Sequence, residues 1–505
     1  MPIINSILSW FITKRQYQID FFRKYPVEVQ RETLARLIKV ASDTSFGEEH
    51  GFSSINSYAE FKDHIPVRDY DTMKPYIERA LSGEDNVLFP GEIRWFAKSS
   101  GTTSAKSKYI PMTRDNMEEC HFRGGKDALV IYLSNNPESN LFKGKSLVIG
   151  GSHQISNFNS ASYFGDLSAV LLQNMPFWGH IFRTPELSIA LMDKWEEKIE
   201  KMANATIKDN VSNIAGVPSW TMVLMNRILE ITGADNIHEV WPKLELFMHG
   251  GVSFDPYRKQ FNRLFPAASM KYLETYNASE GFFGLQDDPG SNDMLLMLDY
   301  GIYYEFIPMN QWDSDDPEVL SLEEVNTNEN YAMVISTSAG LWRYKIGDTV
   351  KFTSTYPFKI QITGRTRHFI NAFGEEVIIE NADKALQKAC QITGAEVVEY
   401  TAAPVFMNEG TSGRHQWLIE FDSEPKSLEY FIEILDNTLK ANNSDYEAKR
   451  YKDMALIKPD LVVLKKGTFY KWLKSKNKLG GQHKVPRLSN NRVIAEEILE
   501  LNQEG

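Results

Sequence analysis

IRWFAKSSGTTSAKSKYIP, residues 93–111, decides how the rest of this chain is read. An apolar run meets a loop of serine, threonine, glycine and lysine, and a short apolar run follows. That order predicts strand, loop, strand. The loop offers hydroxyls and backbone N–H groups that can wrap phosphate oxygens, with lysines behind them to neutralise charge. It is not a Walker A loop, because the G-x-x-x-x-G-K-[ST] spacing is absent. Alone, such a loop is an ordinary solvated turn, so its surroundings decide its meaning.

Working outward, SLVIGG (146–151) and LELFMHGG (244–251) read as buried strands ending in paired glycines. NVSNIAG (210–216) reads as a strand, followed by a turn at Pro218 and a helix carrying Met222, Leu224, Met225, Ile228 and Leu229. MKYLETYNASEGFFG (270–284) continues the alternation, and DYGIYYEFIP (299–308) and YAMVIST (331–337) are strand-rich. Upstream, Phe21, Phe22, Val27, Leu34, Leu37 and Ile38 keep helical spacing, with a break or new start at Pro26. Residues 55–85 read as short helices and loops broken at Pro66 and Pro75. After residue 377 the texture changes to helix (380–393), strands (396–406 and 415–421) and helix (427–442), a compact α+β module. The boundary falls near Arg365. The predicted class is α/β: a large N-terminal domain, residues 1–365, with β-sheets flanked by helices and a β-rich subregion, then a small α+β domain, residues 366–505.

Composition limits the function. At 505 residues the chain exceeds the roughly 250–300 residues of one core, so at least two domains are expected. A net charge of −12 disfavours a nucleic-acid partner. Cys120 and Cys390 stand far apart and form neither a disulfide framework nor a zinc site, which fits a reducing, cytoplasmic setting. The apolar stretch Ile3–Ile12 is shorter than the about 20 residues that span a bilayer. It reads as a helix packed on the body, and no membrane partner is expected. The histidines show no metal-binding spacing, and no G-x-S-x-G elbow exists.

Three further segments join the loop: Tyr276-Asn277-Ala278-Ser279-Glu280-Gly281, Tyr344-Lys345-Ile346-Gly347-Asp348 with Gly364-Arg365 behind it, and Gln482-His483-Lys484-Val485-Pro486-Arg487. In this order they resemble the motifs of the adenylate-forming superfamily of acyl-CoA ligases, luciferases and peptide-synthetase adenylation domains. More narrowly, they resemble the plant auxin- and jasmonate-conjugating acyl acid–amido synthetases, the Gretchen Hagen family, and their bacterial relatives. Departures are Ala105 where a second glycine is usual, Asn277 and Ala278 inside the second motif, Lys345 and Ile346 in the third, and His483 in the fourth.

The resemblance implies an ATP- and Mg²⁺-dependent ligase that activates a carboxylic acid as an acyl-AMP. The acyl group then passes to an amine, an amino acid first among them, with coenzyme A as the alternative acceptor. It implies that Ser99, Ser100, Gly101, Thr102, Thr103 and Lys108 hold phosphate. Gly250, Gly251 and Val252 would pass close to adenine and the acyl group, and Tyr276 would stack on adenine beside Ala278 and Ser279. Glu280 would hold Mg²⁺, Asp348 would accept from the ribose hydroxyls, and Arg365 would contact ribose or phosphate. Lys484, behind Gly480-Gly481, would be the mobile catalytic cation of a small domain that rotates between half-reactions. A nucleotide-binding protein without catalysis is the rival from another class. Trp95, Phe164, Phe177, Trp178, Trp220 and Met222 are the residues that could line an acyl pocket.

Overall fold

The computed structural model describes residues 2–99, 108–150, 156–157, 161–192, 194–252, 254, 257–312, 314, 316–327, 329–366, 369–407, 412–453, 455–476 and 485–503. The helical spacing near the start folds as Pro2–Lys24 and Pro26–Val40. Pro26 opens the second helix, where its missing N–H costs no intrahelical bond. Arg15 ties the first helix to the body. Its Nε donates to Asp127 at 2.9 Å and its Nη1 to Asp299 at 2.5 Å, while the Tyr300 hydroxyl donates to Asp127 at 2.7 Å.

Pro75 does not break the chain as its sequence suggests; it lies inside helix Tyr70–Leu81. A capping box between Asp69 and Thr72 fixes the helix start, and Tyr70, Met73, Ile77, Ala80 and Leu81 bury one face. That burial outweighs the intrahelical bond a proline removes.

Among the described residues, strands Lys108–Met112, Trp95–Ser99, Tyr163–Gly165 and Ser156–Asn157 form a four-stranded sheet in that order. Ser99 pairs with Lys108, so the phosphate-loop candidate closes an antiparallel pair, the strand–loop–strand its sequence predicts. Among the same residues a twelve-stranded sheet forms the body. Its parallel half runs Lys271–Ala278, Leu246–Gly250, Val211–Gly216, Lys145–Val148 and Arg183–Thr184. Helices Trp195–Thr206, Pro218–Thr232 and Arg258–Leu264 supply Ile199, Met225 and Phe261 to a core with Ile214 and Phe247.

The antiparallel half begins at Gly281–Leu285 and proceeds through Met294–Leu296, Phe358–Arg365, Tyr344–Thr355, Asn330–Thr337 and Ile302–Pro308 to Leu320–Ser321. Strand Lys271–Ala278 is the junction: it runs parallel to Leu246–Gly250 and antiparallel to Gly281–Leu285. Ligands of open α/β sheets bind beyond the carboxyl ends of such strands.

The antiparallel half is braced by a buried ion pair. Arg343 Nη2 lies 2.9 Å from Glu305 Oε1, the two side chains being 5% and 0% exposed. Arg343 also donates to the Ile65 carbonyl at 2.7 Å. Arg343→Met leaves Glu305 buried without its cation and is expected to cost about 3–5 kcal/mol. The midpoint of chemical denaturation measures it, and an unchanged midpoint would remove the pair from the account.

Beyond residue 378, strands Glu396–Val405 and Arg414–Ser423 pair antiparallel, and Asp460–Leu464 joins parallel. Helices Ile379–Thr393 and Leu428–Asn442 cover one face, where Ala385 and Leu435 meet Tyr400, Trp417 and Ile419. That core runs on into Ile214, Trp220 and Phe247 of the body. The other face packs Ala403, Leu418 and Leu464 on Phe469, Trp472 and Val485. No helix among the described residues is long and apolar enough to cross a membrane.

Candidate active site

The junction strand and its neighbours build the site. Ala278 pairs with Gly281, which leaves Ser279 and Glu280 as the two residues of a hairpin turn. Strands Tyr344–Thr355 and Phe358–Arg365 fold back at Tyr356-Pro357, and their pairing sets Asp348 opposite Arg365. Gly347 precedes Asp348 at φ +90°, a conformation that glycine adopts without a Cβ penalty.

Asp348 is the hub. Arg365 Nε donates to its Oδ1 at 2.8 Å, and the Tyr276 hydroxyl donates to its Oδ2 at 2.7 Å. Arg365 also reaches Glu376 at 3.4 Å and lies over the Phe369 ring, 4.9 Å from its centroid. Burial opposes the charge on Arg365, but Asp348, Glu376 and Glu280 outweigh it and hold the guanidinium pKa above its ordinary value. Burial pushes the Glu280 carboxyl up; Lys108 pulls it down, Asp348 adds to the rise, and the balance is upward. Lys108 is itself 4% exposed, with its ammonium 5.6 Å from the centroid of Tyr70. Lys108, Lys345, Gly347 and Arg365 line a cleft together with Asp69 and Tyr70. Lys108 and Arg365 of this cleft also act on Glu280, and Arg365 pairs with Asp348, so separate stretches of sequence bring two carboxylates within electrostatic reach of the cleft's cations, a setting made for a polyanion with its counter-ions.

Residues 15–270 match the GH3 family N-terminal domain, 295–365 the GH3 family central domain, and 380–493 the GH3 family C-terminal domain. The chain belongs to the GH3 family. Among curated proteins, this GH3 chain is 23% identical to indole-3-acetic acid-amido synthetase GH3.3 of Arabidopsis thaliana, over 94% of this chain and 90% of that protein. It is 24% identical to jasmonoyl-L-amino acid synthetase JAR4 of Nicotiana attenuata, over 93% and 92%. Among solved structures, the GH3.15 acyl acid amido synthetase shares the fold at a TM-score of 0.58, with 18% identity over 95% of this chain and 93% of that one.

The GH3 fold brings Lys108, Tyr276, Glu280, Asp348 and Arg365 together. Ala278 and Ser279 lead into the Glu280 turn. Gly251, at φ +80°, accepts at its carbonyl from Asn371 Nδ2 at 3.3 Å, and Val252 packs half-buried on the body core. A Cβ on Gly250 would meet the Thr275 carbonyl oxygen at 2.3 Å. Ser99 is half-buried at the strand end. Ser100, Gly101, Thr102, Thr103 and Lys484 lie outside the described residues.

Tyr276 is 5% exposed, its ring edge-on to Phe283 at 4.8 Å. Its described contacts hold Asp348. That link was not visible in sequence, since Tyr276 and Asp348 share no local pattern. The Asp348–Arg365 pairing was visible in principle: counting back along both strands from Tyr356-Pro357 sets these residues opposite one another. Asp69 and Tyr70, at the capped start of a helix, gave no functional signal. His121 Nδ1 donates to Asn277 Oδ1 at 3.0 Å, and burial pushes its pKa down to about 4, so it is a neutral packing group at physiological pH. Burial does the same to His249, at about 3. Of the pocket candidates, Trp95 stacks on Tyr163 at 5.0 Å, while Trp220 and Met222 are buried.

Proposed function

We propose that this chain is an ATP-dependent acyl acid–amido synthetase: it activates a carboxylic acid as acyl-AMP and transfers the acyl group to an amine, an amino acid first among the candidates. The observation that supports it most is the charge cluster of Lys108, Glu280, Asp348 and Arg365, in a chain that matches amido synthetases of the GH3 family over nearly their whole length.

In the first half-reaction, a substrate carboxylate oxygen attacks the α-phosphorus of ATP and pyrophosphate leaves. Lys108 and the 99–103 loop hold phosphate oxygens and offset their charge. Asp348 accepts from the ribose hydroxyls. Each of its oxygens has two acceptor sites, so Tyr276 and Arg365 leave capacity for the sugar while fixing the carboxylate in place. Glu280 fits magnesium, a hard ion that takes one or two protein carboxylates and completes its shell with phosphate and water. When bound, it would neutralise phosphate charge as pyrophosphate departs. In the second half-reaction an amine attacks the acyl carbonyl and AMP leaves. Residues 366–505 act as a module that rotates between the steps, carrying Lys484 in for adenylation and out for transfer. A cytoplasmic setting fits the unpaired Cys120 and Cys390.

Incubating the protein with ATP, a panel of acids and either amino acids or coenzyme A, with AMP and coupled product read by mass spectrometry, tests this. An amide is expected. A thioester alone would make the chain an acyl-CoA ligase, and no pyrophosphate exchange with any acid would sink the reading. Asp348→Asn keeps the side-chain shape but loses the charge. It is expected to weaken ATP binding by about 1–3 kcal/mol. Equal use of 2′-deoxy-ATP and ATP by the wild type would leave the ribose role without basis.

A further inference from the structure

The C-terminal module meets the body through a buried charged cluster that the reaction scheme does not use. The segment after Arg365 is held by main-chain contacts. Ser219 Oγ donates to the Phe373 carbonyl at 2.9 Å, and the Tyr257 hydroxyl donates to the Ala372 carbonyl at 2.6 Å. Glu375 is fully buried; it receives His415 Nε2 at 2.7 Å and the Phe373 N–H at 2.7 Å. Beside it, Lys449 of helix Ser444–Arg450 is 5% exposed. Its ammonium lies 3.8 Å from the ring centroid of Trp220 on body helix Pro218–Thr232. A Cβ on Gly374 would come within 3.1 Å of that ammonium, so the close approach depends on a glycine there.

We propose that Lys449 is a positioning residue: its amine, docked on the body's Trp220, fixes the C-terminal module in one of its working orientations. The proposal rests on the two-step reading above. The contact crosses between helices of the two parts, so it exists only while they are docked. A contact present in one orientation and absent in another shifts the balance between them. The groups facing the amine are Asp445 on its own helix and Glu375 on the connecting segment, with Tyr257 and His415 against Glu375 and the neutral Trp220 opposite.

Burial lowers the Lys449 pKa to about 7, against the opposing pull of Asp445 and Glu375. The docked form therefore binds fewer protons than the released form between about pH 7 and the ordinary lysine value of 10.5. Raising the pH across that window favours docking. Lowering it toward 7 favours release, and below 7 the effect is spent.

The test places spin labels on Asp235→Cys of the body and Glu429→Cys of the module, with Cys390→Ser, and reads their distances in full-length protein without ATP. The wild-type background is expected to lose at least tenfold in its docked-to-released ratio from pH 9 to pH 7. Lys449→Met is expected to abolish that pH response, and Lys449→Arg to keep the docked distance without it. Pyrophosphate exchange and acyl transfer from pre-made acyl-AMP, measured on the same variants, are expected to change in ratio rather than together. A methionine variant that keeps the wild-type pH response overturns the proposal. If that variant does not fold, Trp220→Leu decides: an unchanged distance distribution at every pH overturns it equally. The distances need no substrate, so a chain that adenylates no acid fails the functional reading without touching this result.

Discussion

Glu280→Gln is expected to lower acyl-AMP formation by about 10²-fold or more, the scale on which a preorganised charge-stabilising group acts, while the protein melts as the wild type does. The residue sits in a two-residue turn between Ala278 and Gly281, and glutamine matches glutamate in size, so the change removes charge rather than packing. Three charged groups surround the carboxylate, Lys108 and Arg365 of one sign and Asp348 of the other. An amide there can neither balance the two cations nor serve as an anionic ligand for a hard metal ion. The pH dependence has a defined sign. The carboxyl pKa is raised, so the protonated form persists above the ordinary glutamate range, and adenylation should rise as pH climbs through that raised value. In the glutamine variant this limb should vanish, and the Mg²⁺ concentration for half-maximal exchange should increase. Exchange within a few-fold of wild type would remove Glu280 from the metal site.

Lys484→Ala is expected to split the two half-reactions. Formation of acyl-AMP from ATP should fall about 10²–10³-fold, while transfer from pre-made acyl-AMP to the acceptor should continue at near the wild-type rate. The residue next to it explains the expectation. Val485 is 4% exposed and packs with Leu418, Phe469 and Trp472, and Arg487 is held by Asp383 at 2.8 Å and by its carbonyl on the Ala402 N–H. Under the proposed scheme a lysine adjoining so firm an anchor would travel with the module, and its arrival at the cleft would depend on the module's orientation. Equal loss in both half-reactions would withdraw the rotation scheme. No loss in either would pass the role to another lysine between residues 471 and 478.

Local chemistry wrote much of the fold in plain view. The apolar runs before Gly250 and at Val211–Gly216 became adjacent parallel strands, and Pro218 opened the helix that its position predicts. The loop at 99–108 closed an antiparallel pair as its flanks required. Pro75 misled because the burial of Met73, Ile77 and Ala80 is a tertiary quantity, which no local rule contains. The charge cluster was partly legible, since Glu280, Asp348 and Arg365 stand in motifs. The hydroxyl of Tyr276 on Asp348, and the amine of Lys449 on Trp220, join residues 72 and 229 positions apart, and only the folded chain brings them together.

The order of strands in the large sheet bears on how the protein is made. Phe358–Arg365, the last of its strands to be synthesised, lies inside the sheet between Tyr344–Thr355 and Met294–Leu296. Met294–Leu296 therefore leaves the ribosome with one backbone edge unmatched, and its partner follows about seventy residues later. At roughly 5–20 residues per second, that edge waits for about 4–14 seconds. A nascent chain in this state presents a ready template for pairing with its neighbours, and chaperone dependence should be greatest for ribosome-bound intermediates that end before residue 365.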